Sequence, residues 1–343
     1  EAGHEVEMQS FEMLHASYYS GIPPMVQLYK RTKYHRWYTK AFALWTELGR
    51  YDLILVHDIY SLSAGAKAAR KLKVPLLYAS HEDWPMLIGE KSRAEALLAS
   101  LIERRAPLTH VFAPCESIAA RFRKRGVPST VLYNARSAAD IAFTTRAVAR
   151  RKFFYTNDQF VMGYIGSLEQ LVKGGKGLDL LMSMKLLPDD VKLFIVGGPN
   201  DVSNRLQAMV KEMGLGARIR VWGQTDFREL SAVYAALDAG LILLDARPNY
   251  MLSLPNKLFD LMGFAVPVIA PDYSEIRNVV VKHESGLVLG KHASFVNAVL
   301  AARAMPHEMR EMGENGRTAF LQHYTWDRWA PVFVALCEQA VQK

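Results

Sequence analysis

Short apolar runs bounded by turn-forming residues alternate with longer stretches of helical spacing along most of the chain. YDLILVH (51–57), VPLLYAS (74–80), THVFAPC (109–115) and STVLYN (129–134) are too short for buried helices and rich in branched or aromatic residues, so they read as strands. Between them, SLSAGAKAARKLK and EKSRAEALLASLIERRA space their apolar positions as helices with one buried face do. A second series follows: FVMGYIGS (160–167), VKLFIVGG (191–198), IRVWG (219–223), AGLILLD (239–245), PVIAP (267–271) and GLVLG (286–290). Near-continuous apolar strands separated by helices predict the α/β class, with parallel sheets covered on both faces. The chain of 343 residues exceeds a usual domain of about 100–200 residues. Two doubly wound, Rossmann-like domains facing across a cleft are therefore predicted, at 1–140 and 159–322, joined by the aperiodic segment 141–158. Residues 323–343 predict a terminal helix that packs back towards the first domain. The opening EAGHEVEMQSF reads as a helix end, a turn and a strand, so the first strand of the first sheet is expected to lie ahead of it.

Composition narrows the class without naming a function. Hydrophobic residues make up 50% of the chain and charged ones 22%, which suits a globular protein and excludes a disordered or fibrous one. No run reaches the ~20 apolar residues that cross a bilayer, and no signal sequence opens the chain. A soluble, cytoplasmic protein is expected, or one peripheral on the inner face of the plasma membrane. Cys115 and Cys337 are too few for a disulfide framework and lack metal-ligand spacing, so both are expected as small buried hydrophobes in a reducing compartment. The net charge is +8, of which about +7 falls in the first 150 residues. Its densest piece is LYKRTKYHRWYTKAFALW (28–45), where Lys30, Arg31, Lys33 and Arg36 alternate with aromatic residues such as Trp37. Such a mixture suits the face of an anionic bilayer, or else a solvated helix with its aromatic side inward. Nucleic acid is not the expected partner, because no recognised nucleic-acid module accompanies the patch.

In open parallel sheets, ligands bind beyond the C-terminal ends of the strands. After the strand 160–167 comes GSLEQLVKGGKGLDLL, carrying Gly166, Ser167, Lys173 and Lys176 into a helix. Glycine amides, a helix N-terminus and lysines make phosphate the natural guest, the alternative being a surface glycine turn. It is not a P-loop, since GGKG lacks the Walker spacing. Gly197 in VGGP ends the next strand and offers a similar turn. SLPNKLFDLMG places Ser253, Asn256, Lys257, Leu258 and Asp260 at a loop-to-helix junction. Lys257 there opposes the helix dipole unless an anion is bound nearby or its side chain reaches away. Asp260 offers two oxygens to a pair of vicinal hydroxyls such as a ribose, and Asn256 offers a helix cap. In the first half, two strands end in histidine: His57 with Asp58, and His81 with Glu82 and Asp83. His81 is the stronger candidate for a functional role, as a donor or proton carrier, and Asp58 reads as a helix N-cap. No metal site is expected, as no ligand pair has the spacing for one.

PNKLFDLMGFAVPVIAPDYSEIRNVV resembles the donor-site helix and following strand of the GT-B glycosyltransferases of family 4. GYIGSLEQLVKGGKGLDLL, LFIVGGP, IRVWGQTDFRELSAVYAALDAGLILL and YTWDRWAPVF fall in that family's order, as do GHEVEM, YDLILVHDIYSLSAGAKAARKLKVPLLYASHE, HVFAPCESIAARFRKRGV and LYNA in the first half. The resemblance implies two Rossmann-like domains and the transfer of a sugar, with retention of configuration, from a UDP- or GDP-linked donor to a hydroxyl acceptor. It implies no tightly bound cofactor and no metal. Asp260 takes the place of the acid that holds the ribose. Lys176, or Lys173 if the loop is shifted, takes the place of the diphosphate lysine, and His81 that of the histidine near the donor sugar. Two positions depart from the family pattern: Leu252 stands where a second acid is usual, with Ser253 or backbone amides as substitutes, and Ser167 stands where an arginine is usual. Leu258 belongs to the same donor-side set. The implied acceptor is a glycan or lipid-linked glycan, in bacterial surface polysaccharide assembly. Two other readings stay open: a sugar-nucleotide epimerase of the same fold, and a catalytically degenerate glycan-binding protein.

Overall fold

The structure is a computed structural model that describes residues 51–173, 176–226, 229–290 and 294–342. The expected opening strand and the basic stretch with Lys30, Arg31, Lys33, Arg36 and Trp37 lie outside the described residues. The chain divides into two compact units, one of residues 1–132 and 330–343, the other of residues 133–329.

The first unit contains a parallel sheet of β1 (Ile54–His57), β2 (Leu76–Ala79), β3 (Leu108–Ala113) and β4 (Ser129–Val131), in that spatial order. The register sets Val56 beside Tyr78 and Tyr78 beside Val111. The helix Asp58–Leu72 buries Ile59, Leu62, Ala66 and Ala69 and ends on Lys73 in the left-handed region, at φ 58°. Gly65 faces the strand: a Cβ there would meet Val56 Cγ1 at 2.3 Å. The final helix, Trp326–Val341, contributes its second half to this unit. Phe333, Leu336, Cys337 and Ala340 pack with Leu77, Ala79 and Phe112. Cys115 is fully buried, whereas Cys337 is only half-buried in that helix.

The second unit holds β5 (Phe160–Ile165), β6 (Val191–Val196), β7 (Ile219–Val221), β8 (Ala239–Leu241), β9 (Val268–Pro271) and β10 (Gly286–Leu289), all parallel, in the spatial order β10-β9-β8-β5-β6-β7. Its core joins Met162, Tyr164, Leu193, Ile195, Leu241 and Ile269 of the strands to Leu181, Leu206, Val299 and Met309 of the helices. The chain runs outward from β5 through β6 to β7, then returns to the other side of β5 for β8. This reversal beside β5 is where a doubly wound sheet opens a crevice beyond its strand ends.

The segment 141–158, expected as a connection, contains the helix Arg146–Lys152 and belongs to the second unit. Arg150 is almost wholly buried. It donates to the carbonyls of Ala236 (3.2 Å), Thr156 (2.6 Å) and Gln159 (3.0 Å), and pairs with Asp238. A buried guanidinium is tolerated when most of its five donors are answered in this way, here by four hydrogen bonds. Among the described residues, no helix is long and apolar enough to cross a membrane.

Candidate functional site

Gly166 and Gly197 end β5 and β6 in backbone conformations open to glycine, at φ 144° and 155°. They approach each other closely: a Cβ on Gly197 would lie 1.8 Å from the Gly166 carbonyl oxygen. The Gly166 amide donates to Val196 O (3.0 Å) and the Gly197 amide to Gly223 O (2.8 Å). Across this floor lies Lys257, in the first turn of the helix Asn256–Gly263 that follows β8. Its Nζ sits 4.2 Å from the Tyr164 ring centroid and 2.8 Å from where a Gly166 side chain would begin. The residue is half-buried along its stem, but Nζ is sealed from solvent and has no hydrogen-bond partner. Burial pushes its pKa down to about 8, with the charge of Asp260 opposing. Against the ordinary lysine value near 10.5, that corresponds to on the order of 3 kcal/mol spent on an unpaired cation. The Tyr164 hydroxyl is turned away, donating to Ser167 O at 3.0 Å. A ring face and a glycine floor thus hold a cation whose charge no hydrogen bond answers, a combination chemically suited to meeting an anion.

The rest of the predicted donor set is placed as follows. Leu258 is fully buried in the core. Ser253 is half-buried, and its hydroxyl donates to Tyr250 O at 3.3 Å. The cap expected of Asn256 is not made: the N-cap position is Pro255, which makes no side-chain cap bond, and Asn256 is exposed one residue further in. The pair of vicinal acceptors expected on Asp260 is also largely taken. Arg136 donates to it from Nε (2.5 Å) and Nη2 (3.3 Å), and the Tyr234 hydroxyl lies 3.4 Å from Oδ2. A carboxylate accepts about four hydrogen bonds, so a ribose finds about one free position rather than two. Leu252, where an acid was expected, is half-buried. The side chains of Lys173 and Lys176 lie outside what the structure describes. Gly177, which follows them, is described and packs tightly, its would-be Cβ 3.0 Å from Leu171 O.

The first unit brings its two histidines together at the ends of β1 and β2. His57 Nδ1 lies 3.1 Å from His81 Nε2, with the rings stacked at 5.4 Å and 10° between planes. Asp58 was expected as an N-cap, but His57 occupies that position without a side-chain cap bond. Asp58 takes φ 60°, and its Oδ1 accepts the His81 amide (3.2 Å) and the Trp84 indole N–H (3.1 Å). Partial burial and then the neighbouring His81 lower the pKa of His57, while Asp58 opposes them. Among the described residues, no group of three His, Cys, Asp or Glu side chains is arranged to hold a metal ion.

Sequence reasoning missed Arg136 and Tyr164. Arg136 lies 124 positions from the acid it grips, and nothing in YNARS signals that pairing. Tyr164 reads as one more apolar strand residue, although it stands two residues before the strand-end glycine.

These two parallel-sheet units have the GT-B fold of glycosyltransferases. Residues 1–138 match the model of Glycosyltransferase Family 4, and residues 159–304 match Glycosyl transferases group 1. The chain belongs to this family of glycosyltransferases, the one its sequence resembles. Among solved structures, it is similar to the sucrose-phosphate synthase from Thermosynechococcus elongatus, at 20% identity and TM-score 0.73 over 93% of this chain and 80% of that one. It is similar to HepE from Anabaena in complex with UDP-glucose, at 19% identity and TM-score 0.68 over 89% and 80%. It is also similar to WaaG, a glycosyltransferase involved in lipopolysaccharide biosynthesis, at 15% identity and TM-score 0.56 over 77% and 78%. No curated protein matches the chain by sequence.

Proposed function

We propose that the second unit binds the diphosphate of a nucleotide diphosphate sugar at Lys257 and that the protein transfers the sugar to a hydroxyl of a glycan or lipid-linked glycan. The observation that carries this reading is the Lys257 ammonium, buried without a hydrogen-bond partner beside Gly166. Anabaena HepE, of the same fold, is described in complex with UDP and with UDP-glucose, which supports a nucleotide diphosphate sugar as donor here, UDP- or GDP-linked.

In such a transfer the bond from the anomeric carbon to the diphosphate oxygen breaks, and a bond to the acceptor oxygen forms. The group that most needs help is the leaving diphosphate, whose negative charge grows as the bond breaks. Lys257 supplies a fixed cation in a water-poor site, where it needs little reorganisation, and the amides that begin the helix Asn256–Gly263 add partial positive charge. Lys176, or Lys173 if the loop is shifted, joins it as the second source of charge. The acceptor proton passes to the departing phosphate, on the same face as the new bond, which gives retention without a catalytic carboxylate. Asp260 offers the ribose the one position that Arg136 and Tyr234 leave free. The proposed setting is bacterial surface polysaccharide assembly at the inner face of the membrane.

The test is a thermal-shift screen of UDP, GDP and their sugars on the wild type and on Lys257→Met, followed by product analysis with a hydroxyl acceptor. At saturating concentration one nucleotide raises Tm in the wild type and much less in the variant. Absence of any shift in the wild type, or an equal shift in both proteins, would remove Lys257 from the donor site. An inverted anomeric configuration in the product overturns retention alone.

A further inference from the structure

The helix Arg93–Arg105 (RAEALLASLIERR) turns its leucines the wrong way for a globular protein. Ala99 and Glu103 are buried, whereas Leu97, Leu98 and Leu101 are 73%, 48% and 40% exposed. Arg93, Leu97, Leu101 and Arg104 recur at the spacing of one helical face, and Leu98 and Arg105 flank that face. The apolar stripe therefore has arginines at both ends. The neighbouring helix Asp58–Leu72 and its C-cap expose Lys67, Arg70 and Lys73. The guanidinium of Arg70 reaches the carbonyl of Arg105, so the two basic clusters are continuous. Acids are few on this side: Glu103 is buried against Arg121 (2.6 Å) and Arg125 (3.6 Å). Glu95 stays in the first turn, where it suits the helix dipole.

We propose that this helix docks the protein on an anionic lipid bilayer, lying in the plane of the interface. The leucines enter the boundary between headgroups and acyl chains, and the arginines, with Lys67 and Lys73, meet the lipid phosphates. The long basic side chains reach the headgroups while their stems stay with the leucines. A second copy of the chain is a poorer occupant, because a two-fold contact along this helix sets Arg93 of one copy against Arg104 and Arg105 of the other. The surface fits a lipid-linked acceptor without depending on it, since bilayer binding needs neither donor nor acceptor.

The experiment is flotation of the full chain with vesicles of phosphatidylcholine alone and of phosphatidylcholine mixed with phosphatidylglycerol. The wild type floats with the mixed vesicles and not with the neutral ones. Leu97→Ala/Leu98→Ala/Leu101→Ala, checked by thermal melting to be folded, reduces the bound fraction about tenfold or more, as the loss of three partly inserted leucines requires. Arg93→Gln/Arg104→Gln/Arg105→Gln weakens binding and flattens its dependence on lipid charge and salt. Equal flotation with both vesicle types refutes the electrostatic part. Flotation unchanged in the leucine variant overturns the proposal, as does its loss only on changing Lys30, Arg31, Lys33 and Arg36. Sedimentation velocity covers the remaining case: a wild-type dimer made monomeric by the leucine changes, with flotation intact, identifies the stripe as a self-interface and rejects the bilayer. Nucleotide-induced stabilisation, measured on the same variants, stays unchanged, so failure here is distinct from failure of the donor-site reading.

Discussion

The strand ends of the two units solve the same problem in opposite ways. In the first, polar groups answer one another: Asp58 accepts from His81 and Trp84, and His57 meets His81. In the second, the arginine and the carboxylate are paired, yet the lysine one turn from that carboxylate is left over a ring with no hydrogen-bond partner. A satisfied cluster stabilises the free protein, whereas an unsatisfied buried cation destabilises it until a ligand arrives. The difference separates groups that hold the scaffold from a cation whose charge no hydrogen bond answers.

The largest test acts on the floor of the second site. Gly197→Ala forces a Cβ into the Gly166 backbone, and backbone cannot move aside as a side-chain tip does. A loss of at least ~3 kcal/mol is expected from the denaturant midpoint, and a loss below ~1 kcal/mol would mean the two strand ends are looser than they stand. Next is Lys257→Met, which inverts the usual sign. Removing an unpaired buried cation raises the stability of the free protein by ~1–3 kcal/mol while abolishing stabilisation by nucleotide diphosphates. Destabilisation by this variant would show that the ammonium already has what it needs.

The same lysine gives a pH signature. Its folded pKa, about 8, lies below the unfolded value, so between about 8 and 10.5 the unfolded chain holds more protons and stability rises with pH. The contribution is lost as pH falls through about 8, and the difference in stability between wild type and Lys257→Met narrows accordingly at alkaline pH. Nucleotide affinity runs the other way, falling above pH 8 or higher as the bound anion's partner loses its proton.

The first unit supplies the smaller effects. Asp58→Ala leaves the His81 amide and the Trp84 indole unanswered and is expected to lose ~2 kcal/mol by thermal melting. Asp58→Asn keeps an acceptor and tolerates φ 60°, so it should lose less than half of that. If the two substitutions behave alike, the hydrogen bonds are not what hold this turn. Smallest is His57→Gln. Because the folded pKa of His57 is lowered, the wild type loses stability as pH falls below its ordinary range, and the variant lacks that component. A difference in Tm of about a degree or two between pH 7 and pH 5 is the expected reading.

The ten strands among the described residues were legible in the sequence because most are short, nearly continuous apolar runs, the trace that burial on both faces leaves, while the edge strands β4 and β10 are only half-buried. The positions of Gly166 and Gly197 at strand ends and of Lys257 at a helix start were legible for a similar reason, since a strand end followed by a helix start is a local pattern. What escaped was pairing. Asp58 and Asn256 have the residue type of helix caps, but the turn after β1 rotates Asp58 into the left-handed region towards His81 and Trp84, and Pro255 sits one place too early for Asn256 to cap. Arg136 claims Asp260, and Arg150 turns an expected connection into part of a packed unit. A sequence names the acid and the base but not which of many bases the fold delivers to it.

The path of the chain between its units has a consequence for making variants. The second unit is one unbroken stretch, Tyr133–Trp329, set inside the first, which resumes at Ala330. It is therefore a cassette: the corresponding stretch of another member of the family can be exchanged with two junctions, at Leu132/Tyr133 and, within the final helix, at Trp329/Ala330, and leave the other unit whole. Ending a shortened gene at residue 132 does something different, because it discards the Phe333, Leu336 and Ala340 surface that seals Leu77 and Phe112. Recombination that respects both seams keeps two cores, and a single crossover keeps one.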